Sequence, residues 1–295
     1  MDPATILAID IAIRPSLPGS DRAQVAVLLD VGFSSTVVRI GGTVARIARN
    51  DDAAGGHRRQ AALLPAVAAR LSIAVPSDLR LLPPSPELPF GALLASYIPG
   101  RPMERADAER NPTAVARIAT VLTEIHGVPW RALPPGSLGS FEPVSELRRL
   151  RAETDAELVR RLDVVERRVF DRRWQEAIEV LPNGPTMFCH GDPWFGNFLV
   201  DEEGRPAALL DFEDACTGDP AMDLAAVFHL PRPVADDIVV RYVATQAVDA
   251  SLPVRIELHR MIREVAGLSY VLRNAQGDEV DQTVGRLRDL LRETR

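Results

Sequence analysis

Met187 to Asp223 reads MFCHGDPWFGNFLVDEEGRPAALLDFEDACTGDPAMD, and most of the chain's candidate chemistry lies within it. Its first half holds His190-Gly191-Asp192, followed five positions after the aspartate by Asn197. Its second half is a short turn and an apolar run, Ala207 to Leu210, that ends on Asp211. This order has a physical logic. A phosphoryl-transfer loop needs one carboxylate to accept or orient a hydroxyl proton and one amide oxygen, five residues on, to hold magnesium. Asp192 and Asn197 have that spacing, and the apolar run predicts a strand that brings Asp211 to the metal from the other side. A few oxygen ligands completed by phosphates and water suit magnesium, which seldom takes an all-protein cage.

Three linked motifs, HGDPWFGN at 190–197, LLDFEDA at 209–215 and GDPAMDLA at 218–225, resemble those of the aminoglycoside phosphotransferases, relatives of choline kinase and the protein kinases. The resemblance implies an α+β fold of two lobes: a small N-terminal antiparallel sheet with a helix, and a larger, mainly helical C-terminal lobe. It makes Asp192 the base or hydroxyl-positioning group and Asn197 and Asp211 the magnesium ligands. His190 and Glu213 would support the site. Asp219 and Asp223 would brace the loop and the start of the next helix.

Other readings of the same residues differ in testable ways. A Gly-Asp pair alone is usually a turn, and an isolated Asn more often caps or bends a loop. A metal hydrolase would use His190, Asp192, Asp211 and Asp223 as ligands, but such sites usually recruit several imidazoles, and the chain has five His, with only His190 and His229 nearby. A kinase-like binding protein would bind nucleotide and form no product.

Composition narrows the classes further. At 295 residues and 46% hydrophobic content the chain can bury a substantial core. Its longest nearly apolar stretch, around Phe90 to Ile98, is far too short to span a bilayer, and the N-terminus lacks the pattern of a signal peptide, so the expected location is the cytoplasm. A net charge of −7 argues against nonspecific nucleic-acid binding. Two cysteines, Cys189 and Cys216, are too few for a disulfide scaffold. All 34 basic residues are Arg; without Lys there is neither a Walker A loop nor Schiff-base chemistry. The richness in Arg, Ala and Pro suggests a GC-rich bacterial genome.

In chain order, Asp2-Pro3 opens a short helix. Val25 to Leu29 and Val37 to Ile40 read as strands around a small-residue turn, Asp30 to Thr36, expected to approach nucleotide phosphates through Ser34, Ser35 and their amides. Gly41-Gly42 makes a two-residue hairpin to a strand at Thr43 to Ala48, the glycines supplying positive φ. By resemblance, Arg46 takes the place of the strand Lys of kinases, where its guanidinium would steady phosphates. The next helix, Gly56 to Leu64 with a restart at Pro65, would supply that cation's acidic partner, but the aligned residue is Gln60, which cannot neutralise it. Leu79 to Leu82 and Phe90 to Tyr97 are strands around a proline-rich turn. Ser96 to Pro102 then reads as the linker, dividing lobes at 1–98 and 99–295. By resemblance the backbone of Ser96 to Ile98 would meet the purine, which leaves ATP and GTP undistinguished.

Asn111 caps a helix whose apolar residues recur at helical spacing from Val115 to Ile125 until Gly127, and His126 near its end reads as structural. Glu142 to Glu176 carries nine Arg and nine acids with helical period and reads as a solvated helical segment. Pro220 to Leu230, Val234 to Ala250 and Leu252 to Asn274 complete the helices. Glu257, Glu264, Asp278 and Glu279 are the acids placed to line a cleft for a polycationic acceptor, though ordinary surface charge is their simpler role. Together these expectations describe magnesium-dependent transfer of the γ-phosphate of ATP or GTP to a hydroxyl of an aminoglycoside, macrolide, amino alcohol or sugar metabolite. They leave the oligomeric state open.

Overall fold

A computed structural model describes residues 3–31, 34–274 and 277–293. Helix α1 (Pro3–Ile13) is followed by strands β1 (Ala26–Val31), β2 (Ser35–Ile40) and β3 (Thr43–Ala48). Helix α2 (Asp51–Ala68) precedes β4 (Arg80–Leu82) and β5 (Ala92–Ser96), and the five strands form one antiparallel sheet in the order β1-β2-β3-β5-β4. Alternation along β2 and β3 turns Val38, Ile40, Ala45 and Ile47 into a core shared with Ile9, Ile13 and Leu17. The same period of two sends Arg46 to the opposite face. Gly41 turns the β2–β3 hairpin with φ of 59°, and Gly42 does not share the left-handed conformation expected of both. Of the expected phosphate loop, Gly32 and Phe33 lie outside the described residues.

Helix α2 starts earlier than its sequence suggests and runs without a break. Asn50 caps it by accepting from the Ala53 amide, and Asp51 and Asp52 in the first turn complement the helix dipole. Pro65 sits inside it. A proline there costs about 3 kcal/mol, and burial of Leu63, Leu64 and Val67 in the main core offsets that cost. The same three side chains pack with Leu209 and Phe212 of the large lobe, so α2 ties the two lobes together.

The large lobe begins with β6 (Arg101–Pro102), α3 (Arg105–Arg110), α4 (Pro112–His126) and β7 (Gly139–Ser140), followed by α5 (Pro143–Arg161) and α6 (Val164–Val180). The charged segment is thus two helices, because Asp163 caps α6 through a reciprocal box with Glu166. Next come β8 (Met187–Cys189), β9 (Phe198–Val200), β10 (Pro206–Leu209) and β11 (Cys216–Gly218). Two small sheets result, β10-β9-β6 and β7-β11-β8. Helices α7 (Ala221–Ala226), α8 (Arg232–Val243), α9 (Leu252–Arg273) and α10 (Gly277–Glu293) close the chain. Helix α7 is shorter than expected because residues 227–229 tighten into a 3-10 turn, α8 ends seven residues short of Ala250, and α10 had no counterpart in the sequence reading. The main core gathers α4, α8 and the strands around Phe188, Phe198 and Phe212, while a second joins α5, α6, α9 and α10. No helix among the described residues is long and apolar enough to cross a membrane.

Candidate functional site

The loop after β8 is held by one buried carboxylate. Asp223, in the first turn of α7, accepts from the His190 amide at 2.8 Å, the Gly191 amide at 2.9 Å and His126 Nε2 at 3.2 Å. Burial pushes its pKa up, but His126's bond and charge, with His190 nearby, outweigh that and leave it below the ordinary value. His126 Nδ1 continues the network to the Tyr242 hydroxyl at 2.8 Å. His190 Nδ1 takes the Asp192 amide and its Nε2 lies 3.0 Å from the Leu210 carbonyl, so the ring is fully engaged within the loop. Gly191 has φ of 92°, and a Cβ there would collide with the Asp214 backbone. The sequence thus folds into a loop that projects the Asp192 side chain.

Asn197 sits in a 3-10 turn just before β9, its amide nitrogen donating to the Asp192 carbonyl at 2.8 Å. That fixes the amide and leaves its oxygen free to face a metal. Its own carbonyl accepts from Leu210 N at 2.8 Å, which joins the loop to the end of β10. The next residue, Asp211, adopts φ 64° and ψ 62°. A non-glycine residue held there costs on the order of 1–3 kcal/mol and marks a position the surroundings enforce. Its carboxylate and the Asn197 oxygen are hard donors, a set that fits magnesium.

The metal-hydrolase quartet does not assemble. Asp223 and His190 are spent on hydrogen bonds within the loop. Among the described residues the group close enough to share an ion is instead His126, Cys189 and Asp223, all buried, of which His126 and Asp223 are already bonded to each other. Asp219, the other bracing acid, accepts from the Ala221 amide at 3.0 Å just before α7 and pairs with Arg255 of α9 at 2.6 Å. Both cysteines are buried and free, and burial pushes their thiols up, Cys216 to about 12.

The strand cation finds its partner where the sequence did not place one. Arg46 Nη2 lies 2.5 Å from Glu213 Oε1 and 3.0 Å from Asp211 Oδ1. Gln60, the residue expected in the partner position, is fully buried; with its amide oxygen turned inward it accepts from Arg46 Nη1 at 3.2 Å and Glu213 N at 3.1 Å. The acid therefore comes from the large lobe. Space for it is left by Gly56 of α2, whose Cβ would press on the Glu213 side chain. His57 Nε2 adds a contact to Glu213 at 3.4 Å. Burial pushes Glu213 up, yet His57, the charge of Arg46 and Ser34 outweigh it and hold its pKa low.

Two of the expected cofactor-site residues, Ser35 and Ser96, have partners within the small lobe. Ser35 begins β2, buried, with its hydroxyl 3.0 Å from His57 Nε2. Ser34 leans on Glu213. At the linker the Ser96 amide donates to Ser77 O at 3.0 Å and the Tyr97 amide to Gly42 O at 2.7 Å, so both donors are engaged within the small lobe. Tyr97 and Ile98 both lie beyond the end of β5, and Ile98 is half-buried.

Beside the loop lies a cavity of about 590 Å³. Asp192 and Asp214 line it together with one face of α9: His259, Ile262, Arg263, Ala266, Gly267 and Tyr270. Arg263 Nη2 bonds Asp192 Oδ1 at 2.7 Å. Sequence reasoning missed this face, although its spacing of 3, 4, 7, 8 and 11 is one stripe of a helix. Of the acids considered for a cleft, Glu257, Glu264 and Glu279 do not line this cavity, and Glu264 lines a neighbouring one with His229 and Arg263. Glu257 pairs with Arg260 and Arg232, Glu264 with Arg286, and Glu279 is exposed; the Asp278 side chain lies outside what is described. Burial, then Asp192, Asp211 and Glu213, raise Asp214 to about 6. Burial and flanking arginines lower His229 to about 4 and His259 to about 3.

A small sheet lobe over a helical lobe, with two carboxylates and an amide at their junction, defines a kinase-like phosphotransferase fold. Residues 25–258 match the phosphotransferase enzyme family, and the chain belongs to it. Across 98% of its length it superposes on 99% of the GDP complex of aminoglycoside 2'-phosphotransferase-IIIa, with a TM-score of 0.84 at 15% identity. A macrolide 2'-phosphotransferase type I gives 0.72 at 19% identity over 97% of this chain and 98% of that one. A probable choline kinase 2 of Arabidopsis thaliana is 28% identical over 140 residues, which are 46% of this chain. The match spans 38% of that relative's length.

Proposed function

We propose that the protein transfers the γ-phosphoryl group of ATP or GTP to a hydroxyl of a small molecule, with magnesium. The observation that carries this reading is the tie between Asn197 and both carboxylates. Its side chain bonds the Asp192 carbonyl and its own carbonyl receives Leu210 N, so Asn197 ties the Asp192 loop to the segment that leads into Asp211. Arg46 reaches Asp211 from the small lobe.

Phosphoryl transfer asks a protein mainly for positioning and charge neutralisation. Asp192 would orient the acceptor hydroxyl and take its proton, with Arg263 fixing the carboxylate from the α9 side. Arg46, anchored by Glu213, would lie along the phosphates, and the backbone at Ile98 would meet the base. Asn197 and Asp211 would hold magnesium, which when bound would offset the negative charge of the phosphates. The structural neighbours include a GDP complex of an aminoglycoside phosphotransferase and a macrolide phosphotransferase, which supports a nucleotide co-substrate and a small-molecule acceptor. A cytoplasmic location follows from dependence on cellular nucleotide.

The test is mass-detected transfer from Mg·ATP and Mg·GTP across aminoglycosides, macrolides, amino alcohols, sugars and sugar acids. A product that gains one phosphate should fall by about 10²–10⁴-fold in Asp192→Ala, while nucleotide binding persists. Undiminished transfer in that variant refutes the assignment. Nucleotide binding with no product from any acceptor favours a non-transferring binding protein.

A further inference from the structure

Arg263 stands on a border. It lines both the cavity beside Asp192 and a second one of about 370 Å³ that it shares with His229, Arg260 and Arg286. The acids of that second cavity are engaged elsewhere, Glu264 by Arg286, Glu293 by Arg260 and Asp289 by Arg292. Arg263 Nε is buried without a partner. Among the described residues its guanidinium makes two hydrogen bonds, both from Nη2: 2.7 Å to Asp192 Oδ1 and 3.4 Å to His229 Nε2. That nitrogen carries two hydrogens, one for each.

The second bond fixes the imidazole. A guanidinium can only donate, so His229 Nε2 accepts and the ring's proton sits on Nδ1. Burial, then the charge of Arg263, lowers the pKa of His229 to about 4, so at pH 7 the ring is uncharged and remains an acceptor. Trp194 of the catalytic loop meets it edge-on at a centroid distance of 6.0 Å. The 3-10 turn that carries His229 follows directly on α7, whose Asp223 holds the His190 and Gly191 amides. One element thus places both the imidazole and the Asp192 loop.

A neutral acceptor suits this position. It takes one N–H without neutralising the guanidinium, whereas a carboxylate would compete with Asp192 for the charge. With Oδ1 bonded to Arg263, Asp192 Oδ2 has a longer contact, 3.4 Å from Asn197 Nδ2. That is the oxygen left to face a hydroxyl.

Resting on the kinase reading above, we propose that His229 is a positioning residue for Asp192: as a neutral acceptor it pins the Arg263 guanidinium to Oδ1, and so presents Oδ2 to the acceptor.

The experiment uses the full chain. Turnover is followed by hydrolysis of Mg·ATP and Mg·GTP, with water as the acceptor probe, and by transfer to any acceptor that yields product; absence of both defeats the kinase reading and this inference with it. His229→Leu should lower kcat about tenfold with the nucleotide KM unchanged. His229→Gln, which keeps an acceptor, should recover most of the loss. His229→Asp should not, because its charge draws the guanidinium away. Arg263→Gln should match His229→Leu, and the double variant should fall no further. Each variant is checked for a native melting profile; if the leucine variant melts early, the glutamine and aspartate variants carry the comparison. Nitrogen-15 spectra of the histidine rings, assigned by the signal lost in His229→Gln, should show the His229 proton on Nδ1. Undiminished kcat in a folded His229→Leu, equal turnover in the glutamine and aspartate variants, losses that multiply in the double variant, or a proton on Nε2 overturns the proposal.

Discussion

Replacing Glu213 by Gln tests whether the strand cation is balanced from the large lobe. The substitution keeps shape and removes the charge that Arg46 meets at 2.5 Å, with both side chains under one fifth exposed. Breaking a buried pair by removing one partner costs about 3–5 kcal/mol. Here Arg46 keeps Asp211 at 3.0 Å and the Gln60 amide oxygen at 3.2 Å, so its charge is not orphaned. The expected loss is about 2 kcal/mol, or a fall in melting temperature of about 4 °C for a chain of this size. The folded pKa of Glu213 is depressed below its ordinary 4.5, so its contribution is complete above that value and is lost as pH falls through the folded pKa. Urea titrations at pH 7 and at steps below pH 4.5 should show wild type and variant converging on the acid side. Mg·ATP affinity should also fall by about tenfold, as a cation freed from its anchor no longer holds one position. A variant within about 0.5 kcal/mol of wild type at pH 7, with the same acid limb, would refute the reasoning.

Two other substitutions probe the frame around the site. Gly191→Ala puts a Cβ against the Asp214 backbone at φ 92° and should cost about 2 kcal/mol or more, with turnover lost more than stability; an active variant with normal stability would mean the loop has slack. Arg255→Leu strands Asp219, which burial already pushes above its ordinary pKa despite the 2.6 Å bridge. Unfolding should show a loss of about 3–5 kcal/mol, partly relieved by Asp219→Asn in the same chain, and the absence of that relief would show that the pair's charge is not what matters.

The short-range features of this protein were legible in its sequence. His190, Asp192, Asn197 and Asp211 lie within 22 positions, so chain geometry alone brings them near each other, and the strand that carries Asp211 follows from a run of apolar residues. Capping boxes and N-caps were equally local, and where they were overlooked, at Asn50 and Asp163, the helix boundaries were misplaced. Partners distant in sequence were decided by the tertiary structure. Arg46 is balanced by Glu213, 167 residues away, because α2 offers Gln60 where an acid was expected and, at Gly56, leaves the room that Glu213 fills. Arg263 meets Asp192 across 71 residues because α9 packs beside α7 and α5. A single chain displays which groups it owns and the period on which they recur; the pairing of charges across lobes is set by packing.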